Sequence, residues 1–206
     1  MEYRTIAAPA EAKFIEKKSE FIGYVAPVST EEEAVAFVNE IRAIHRRATH
    51  NCYAYILRDN NIARHSDDGE PSGTAGVPIY EVLKKEGLTD IACVVTRYFG
   101  GIMLGAGGLV RAYTNGAKIA VDSAKIKIMC EAARVVLKMD YSYYGKIGAT
   151  LVRFDARTIN EDFTDIVSVE VIIRSESADE FSAALIDLCN GRIEVEKTEE
   201  LEYDFG

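Results

Sequence analysis

The sequence lacks the features that membrane insertion and export require. None of its apolar runs approaches the roughly 20 residues that a transmembrane helix needs. The N-terminal segment has no basic stretch followed by an apolar core, so it does not resemble a secretory signal. From these absences we expect a soluble, cytoplasmic protein with no membrane partner.

The residue spacings of metal and redox sites are also missing. The four cysteines form no CxxC pair, and no spacing of ligand residues is typical of a metal site. We interpret the cysteines as buried or half-buried reduced thiols. His50 and Cys52 would share one face of a strand, which leaves a catalytic Cys–His pair as a second interpretation. Otherwise we expect no catalytic residue, no metal and no cofactor, and the sequence favours a protein that is not an enzyme.

Excess basic charge is absent, and the acidic charge is unevenly distributed. The net charge is −9. Residues 1–130 carry 16 basic and 16 acidic residues, whereas residues 131–206 carry 8 and 17. An acidic module repels a phosphate backbone. If the protein contacts nucleic acid, we therefore expect the first 130 residues to make the contact.

The first 130 residues have the pattern of an α+β domain. Residues 13–25 predict a strand or a bent pair of strands. Thr30 and Glu33 form a capping box ahead of a helix with apolar residues at helical spacing. Residues 52–57 predict another strand, and the apolar run 91–96 is typical of a central strand buried on both faces. A short helix after a first glycine-rich segment and a long helix after a second complete the domain.

Residues 131–206 follow a different pattern, which we interpret as a ferredoxin-like β-α-β-β-α-β domain. Ser177 and Glu180 form a second capping box, at the start of its second helix. The six predicted elements are residues 135–139 (strand), 141–153 (helix), 157–163 (strand), 168–174 (strand), 177–189 (helix) and 193–203 (strand).

The first glycine-rich segment, residues 66–78, places three carboxylates within four positions. Asp67, Asp68 and Glu70 allow three interpretations: coordination of a divalent cation, a general base, or a tight turn in which carboxylates accept backbone N–H bonds. Ser72 and Thr74 can cap the helix that follows. A helix start of this composition is also a natural seat for an anion.

The second glycine-rich segment, residues 97–113, also leads into a helix. It is neither a P-loop nor a Rossmann fingerprint, but the N–H groups at its helix start could hold a phosphate or a carboxylate. Arg97 and Arg111 are the cations we expect to take part, since arginine suits bidentate binding of such groups. The candidate ligand-binding or partner-binding residues of both segments are Asp67, Asp68, Glu70, Ser72, Thr74, Arg97, Gly105, Gly107, Gly108 and Arg111.

The two segments, read as SDDGEPSGTAGVP at 66–78 and VTRYFGGIMLGAGGLVRAY at 95–113, together resemble the signature of the IMPACT family, in particular its bacterial YigZ-type two-domain members. The resemblance implies a first domain, residues 1–130, with a ribosomal-protein-like fold: a mixed four-stranded sheet with two helices on one face. It implies a second domain, residues 131–206, similar to the C-terminal domain of elongation factor G. Eukaryotic relatives act in translational control by binding a large activator of an amino-acid-sensing kinase, and they carry a different partner domain that is absent here.

Three functions follow, the third being a protein-interaction module whose acidic second domain docks a basic partner. The first is a non-catalytic binding protein linked to translation or its regulation, which contacts RNA, the ribosome or a protein partner through its N-terminal domain. The second is an enzyme or small-molecule binder with a phosphate or nucleotide seat at residues 105–108. A basic group at residues 45–47, with Arg58 and Arg64 further along, is either an RNA-facing patch or a solvated helix end.

Overall fold

The computed structural model describes residues 2–206, except for the side chain of Asn60. The chain divides into two compact units: an N-terminal unit of residues 3–127, and a C-terminal unit of residues 128–206 together with Glu2. Both contain helices and antiparallel strands, so the predicted α+β class is confirmed. The division falls between Lys127 and Ile128, whereas the change of sequence pattern lies near residue 131.

The N-terminal unit contains three helices and a five-stranded sheet. Strand β1 (Glu2–Ile6) precedes that sheet in the chain. The elements that follow are β2 (Ala10–Glu16), β3 (Ser19–Pro27), α1 (Glu31–Ile44), β4 (His50–Leu57), β5 (Ile62–Ser66), α2 (Gly76–Lys85), β6 (Ile91–Tyr98) and α3 (Ala106–Ser123).

The sheet of the N-terminal unit differs from the one that the family resemblance implied. Its strand order is β2-β3-β6-β4-β5, and each of its strand pairs is antiparallel. It therefore has five strands and is not mixed. The additional strand, β5, is a short edge strand directly after a turn, and its five residues carry too little alternation to be distinguished from a loop.

Helices cover both faces of this sheet. β6 is the central strand and is buried along almost its whole length, as its apolar run predicts. Cys93 and Val95 point into a core shared with α2 and α3, whereas Ala92 and Val94 belong to clusters on the side of α1. The two implied helices on one face are thus α2 and α3, and α1 lies on the opposite face.

Two predicted local features at the start of the unit are present. Residues 13–25 form the bent pair of strands β2 and β3, joined at Lys17 and Lys18, which adopt φ of 46° and 66°. The Thr30 hydroxyl accepts a hydrogen bond from Glu33 N at 3.2 Å, and the Glu33 carboxylate accepts one from Ser29 N at 2.6 Å. Thr30 has the extended backbone of an N-cap and caps α1 as expected. The carboxylate of Glu33 binds the amide of Ser29 instead of that of Thr30, so the second half of the predicted capping box is shifted by one residue.

The C-terminal unit has the ferredoxin-like order of elements that its sequence predicts. Within residues 128–206 the strands pair in the order β10-β7-β9-β8, each pair being antiparallel, and α4 and α5 pack with one face of these strands in a single core. Its elements are β7 (Ile126–Met139), α4 (Tyr141–Arg153), β8 (Arg157–Phe163), β9 (Val167–Arg174), α5 (Ala178–Leu188) and β10 (Ile193–Asp204).

The prediction of a second capping box, at Ser177 and Glu180, is wrong. Ser177 directly precedes α5 but makes no side-chain capping bond. Its backbone (φ −101°, ψ −5°) continues the helical turn Ser175–Ser177, so the side chain is not presented to the first free N–H groups as that of Thr30 is.

The four cysteines are all buried and unpaired, in agreement with their interpretation as thiols. Within residues 2–206, no helix is long and apolar enough to cross a membrane.

Candidate functional site

The first glycine-rich segment folds around the carboxylate of Asp67. Its Oδ2 accepts a hydrogen bond from Gly73 N at 2.8 Å, and its Oδ1 accepts bonds from Ala75 N at 3.0 Å and Gly76 N at 2.8 Å. Burial raises the pKa of Asp67, but these three backbone bonds outweigh it and hold the pKa below its ordinary value. The anion seat at the start of α2 is therefore occupied by the chain's own carboxylate.

Glu70 joins the two glycine-rich segments inside the N-terminal unit. Its Oε1 accepts hydrogen bonds from Arg97 Nη1 at 2.7 Å and from the Tyr113 hydroxyl at 2.8 Å, and all three residues are buried. The Arg97 guanidinium also lies 5.5 Å from the ring centre of Phe21 and 5.4 Å from that of Phe99. Arg97 is thus committed to a buried ion pair and is not presented to a ligand.

Asp68 and His50 extend this network toward α1. Asp68 accepts a hydrogen bond from Arg42 Nη2 at 2.7 Å and one from Asn51 N at 2.7 Å. His50 Nδ1 lies 2.8 Å from the carbonyl oxygen of Asp68, which can only accept, so Nδ1 carries a proton. Its Nε2 faces Glu70 Oε2 at 3.8 Å. The sequence did not indicate His50 or Arg42 as partners of this segment.

The arrangement around Cys52 does not suit nucleophilic catalysis. Its Sγ donates to the carbonyl oxygen of Asp67 at 2.9 Å, and burial raises the pKa of the thiol strongly. A catalytic thiol needs a lowered pKa and access to substrate. Within residues 2–206 no cluster of three or more His, Cys, Asp or Glu side chains could hold a metal ion. Of the three interpretations of the acidic run, the geometry favours the turn.

The remaining polar residues of the first segment do not converge on a ligand. Thr74 is buried and donates its hydroxyl proton to the carbonyl oxygen of Pro71 at 2.6 Å. Ser72 is exposed. Neither residue caps α2, which takes its side-chain cap from Asp67, eight or nine positions upstream of the amides it binds. His65 is exposed, and its ring lies 6.1 Å from that of Tyr80.

The start of α3 is open, in contrast to that of α2. Gly105 is the N-cap with φ of 70°, and it offers no side chain to cap the first amides. Gly107 is exposed and Gly108 half-buried. A Cβ placed on Gly107 would lie 3.6 Å from Arg111 Nη1, so this exposed guanidinium reaches back over the first turn. Free N–H groups with a cation beside them are suited to an anionic group.

Four chain segments meet near this helix start, at one end of the sheet. β3 begins and β6 ends here, since Glu20 pairs with Tyr98. Thr49 N donates to the carbonyl oxygen of Arg97 at 2.8 Å, which brings the loop after α1 to the same place. A Cβ on Gly100 would lie 2.0 Å from backbone atoms of Lys18, so the loop after β6 packs on the β2–β3 turn.

These segments carry five exposed cations, which we call the basic edge. Among the residues that the structure describes, none of the five has an ion-pair partner. By contrast, Arg58 lies 3.4 Å from Asp90 and Arg64 lies 3.5 Å from Glu31, so these two arginines are paired elsewhere. The basic edge consists of Lys17, Lys18, Arg46, Arg47 and Arg111.

Exposed apolar side chains lie in the loop between β6 and α3. Phe99 is 49% exposed, Ile102 40% and Met103 85%. An aromatic ring beside cations is the combination on which single-stranded nucleic acids stack their bases. The sequence analysis does not single out Lys17 and Lys18, although two adjacent lysines at the end of an alternating run are typical of an exposed turn.

A cavity of about 270 Å³ adjoins the basic edge between β2 and α3. Lys17, Gly108 and Arg111 line it, so it could take a small anionic group. Glu16 lines the same cavity, and its carboxylate would oppose a phosphate placed deep inside.

Comparison with known proteins gives two family matches along the chain. The Impact N-terminal domain matches residues 17–121, and a domain of unknown function, DUF1949, matches residues 137–192. The chain is 40% identical to the IMPACT family member YvyE of Bacillus subtilis over 204 residues, which cover 96% of this chain and 91% of that protein. It is 37% identical to YigZ of Escherichia coli over 197 residues, with 94% and 97% covered.

One solved structure is similar over nearly the whole chain. It is described as the crystal structure of a hypothetical protein, and it is 36% identical in sequence with a TM-score of 0.62. The match covers 96% of this chain and 98% of that chain. The match therefore extends over both units of this chain.

Proposed function

This chain belongs to the IMPACT family, and we propose that it is a non-catalytic protein that binds single-stranded RNA through the basic edge of its N-terminal unit. The observation that carries the proposal is the set of five exposed cations at one end of the sheet, of which Lys17 and Arg111 line a cavity beside the open start of α3. The polar residues that would be needed for catalysis are instead occupied, since Asp67 caps α2 and Glu70 forms a buried pair with Arg97.

The expected contact is made mainly with phosphates. Lys17 and Arg111 line the cavity beside the start of α3, and Lys18 follows Lys17 in the same turn. Such groups bind a backbone without reading its sequence. Phe99 would stack on a base, which is possible only where the bases are unpaired. We therefore expect little sequence preference and a preference for single strands. Because the family resemblance implies a link to translation, we propose ribosomal or messenger RNA as the natural class of ligand.

The C-terminal unit should not take part in this contact. Its acidic excess would repel RNA at the distances over which charges act. We propose that residues 131–206 form the domain similar to the C-terminal domain of elongation factor G, and that they serve a purpose other than RNA binding.

The test is the affinity of the full chain for a fluorescein-labelled 20-nucleotide oligouridine, measured by anisotropy at about 50 mM salt. The triple variant Lys17→Gln, Lys18→Gln, Arg111→Gln should raise Kd at least about tenfold. A matched control removes three exposed cations elsewhere in the unit, Lys84→Gln, Lys85→Gln and Lys125→Gln, and should change Kd by less than about twofold.

Two results would overturn the proposal. The first is no binding of the oligouridine by the wild-type chain at low salt. The second is an equal loss of affinity in the two triple variants, since this would mean that only net charge matters. Phe99→Ala tests base stacking independently of charge, because it should weaken binding about fivefold without changing the charge.

A second candidate function is binding of a phosphorylated small molecule in the cavity beside Gly108 and Arg111. The specific observation in its favour is the cavity of about 270 Å³ next to an open helix start. A thermal-shift screen with nucleotides, with and without Mg²⁺, tests it. A rise in the unfolding temperature that is lost in Asn115→Leu, which narrows the cavity without removing a cation, would favour this candidate over RNA binding.

A further inference from the structure

The two faces of the N-terminal sheet are not covered equally. Neighbouring strands lie about 4.8 Å apart and a helix with its side chains is about 10 Å wide, so one helix covers about two strands. On one face α2 and α3 pack side by side over a single core. On the other face only α1 is present, and its buried residues Val38 and Ile41 form a cluster with Val94 of the central strand. Space for a second helix remains over β3 and β2.

An apolar groove occupies this space. It has a volume of about 320 Å³ and runs between α1 and the edge strand β2. Ile44 is 64% exposed and Phe37 is half-buried on the α1 side. Tyr24 of β3 forms the floor, and Glu11 pairs with it in the register of the sheet. Ile15, which is 72% exposed, lies on the same face of β2 further along the strand.

The rim of the groove is acidic. Glu11 lies on the β2 side and Glu40 on the α1 side, and neither has an ion-pair partner within residues 2–206. The hydroxyl of Tyr24 lies 2.7 Å from Nε2 of His45. Burial lowers the pKa of this imidazole, so His45 does not supply a positive charge that would balance the two carboxylates. Two unpaired carboxylates on opposite sides of an apolar floor favour an occupant with an apolar stripe flanked by cations.

We propose that this groove docks a basic amphipathic helix of a protein partner, laid beside α1 over strands β2 and β3. The helix would place its apolar face against Phe37, Ile44 and Tyr24 and its lysines or arginines against Glu11 and Glu40. It would complete a second two-helix layer on the sheet, equivalent to the layer of α2 and α3. RNA does not fit, since the two carboxylates would repel its phosphates. The lining of the groove shares no residue with the basic edge, and the proposal does not depend on the proposed RNA binding.

The probe for this groove is an acetylated, amidated 18-residue peptide of leucine and lysine at helical spacing. Its counterpart has every lysine replaced by glutamate. Binding to the full-length, ¹⁵N-labelled chain is followed by amide chemical shifts, and Kd is measured by fluorescence anisotropy with a labelled peptide. The lysine peptide should shift amides of β2, β3 and the second half of α1, and the glutamate peptide should not bind.

Two pairs of variants separate docking from general attraction to an acidic protein. Ile44→Ser should raise Kd about tenfold, whereas Val35→Ser, on an exposed part of α1 outside the groove, should leave it within about twofold. Glu11→Gln with Glu40→Gln should raise Kd at least about fivefold. The matched charge control, Asp162→Asn with Glu196→Gln in the C-terminal unit, should have little effect.

The proposal is overturned by any of three results. The lysine peptide could fail to bind below millimolar concentration. Its shifts could fall on β10 and the rest of the acidic C-terminal unit. Ile44→Ser could bind as tightly as Val35→Ser. Circular dichroism of each variant keeps these outcomes interpretable, and Ile44, Glu11 and Glu40 are all exposed, so their replacement should leave the fold intact.

Discussion

Asp67 and Asp68 are neighbours in sequence but hold different parts of the N-terminal unit. Asp67 binds three amides of its own segment and starts α2, whereas Asp68 binds Arg42 of α1 and the amide of Asn51 in β4. A pair of adjacent carboxylates therefore fixes one loop to a helix on each side of the sheet. This explains the acidic run without a metal or a substrate.

Replacing Asp67 with alanine should lower the free energy of unfolding by about 2 kcal/mol, the upper end of the range for the loss of a helix cap. Ser72→Ala in the same loop should change it by less than about 0.5 kcal/mol, because Ser72 is exposed and caps nothing. Urea unfolding followed by circular dichroism measures both. Equal stability of the Asp67 variant and the wild type would contradict the capping role.

The same carboxylate gives a defined pH dependence. The folded pKa of Asp67 lies below its ordinary value of 3.8, so its contribution is present above that value and is lost as the pH falls through the folded pKa. The wild type should therefore lose stability as the pH falls below about 4, and Asp67→Asn should lose less over the same range. Urea midpoints between pH 6 and pH 3 compare the two slopes.

Removing one partner of the buried pair Glu70–Arg97 should lower the free energy of unfolding more than half as much as removing both partners together. Arg97→Met leaves a buried carboxylate with fewer partners and should cost about 3–5 kcal/mol, and Glu70→Gln leaves the arginine without a counter-charge. The double variant should lose clearly less than the sum of the two single losses. Additive losses in urea unfolding would contradict a direct pair.

At the scale of elements, close approach of backbones explains part of the glycine content. A Cβ on Gly23 of β3 would lie 2.1 Å from the carbonyl oxygen of Gly116 in α3, and a Cβ on Gly116 would lie 2.8 Å from Val95 Cγ1. The helix thus lies directly on the sheet at this crossing. In α4, a Cβ on Gly145 would meet nothing within 4 Å.

Gly23→Ala should therefore lower the free energy of unfolding by about 3 kcal/mol, because backbone atoms cannot move aside as a flexible side chain can. Gly145→Ala, the same chemical change in an open helix position, should raise stability by about 0.5–1 kcal/mol through helix propensity. Thermal unfolding of the two variants in one buffer checks that Gly23→Ala lowers the stability and that Gly145→Ala raises it. A neutral Gly23→Ala would mean that α3 and β3 do not approach as closely as described.

The elements with local signals could be predicted from the sequence. Helix Tyr141–Arg153 and strand Arg157–Phe163 have the predicted bounds, and α1 has its predicted cap at Thr30. The features that depend on residues distant in the chain could not be predicted from the sequence. Asp67 caps α2 from outside the usual N-cap position, and β5 is a strand only because β4 pairs with it.

The candidate site was predictable in part for the same reason. Arg111 and the glycines at the start of α3 were identified because a glycine-rich helix start is a local pattern. Arg97 belonged to the same pattern but is buried against Glu70, which only the fold reveals. Lys17, Lys18, Arg46 and Arg47 come from segments far apart in the chain, so no spacing rule connects them.

At the scale of the whole molecule, charge is separated along the chain. The first 130 residues are neutral, and the acidic excess lies in residues 131–206. A neutral unit can still bind a polyanion when its unpaired cations gather at one place, because counterion release depends on local contacts rather than on net charge. The basic edge provides such a place, and the acidic groove beside α1 provides a different one for a basic partner.

The most direct test of RNA binding at the basic edge is the salt dependence of oligouridine binding. Five phosphate contacts predict that log K falls with log salt concentration with a slope of about −3.5, and the triple variant Lys17→Gln, Lys18→Gln, Arg111→Gln should reduce the slope to about −1.4. The control variant Lys84→Gln, Lys85→Gln, Lys125→Gln should keep the wild-type slope. A slope that is the same in wild type and in the basic-edge variant would contradict RNA binding at this edge.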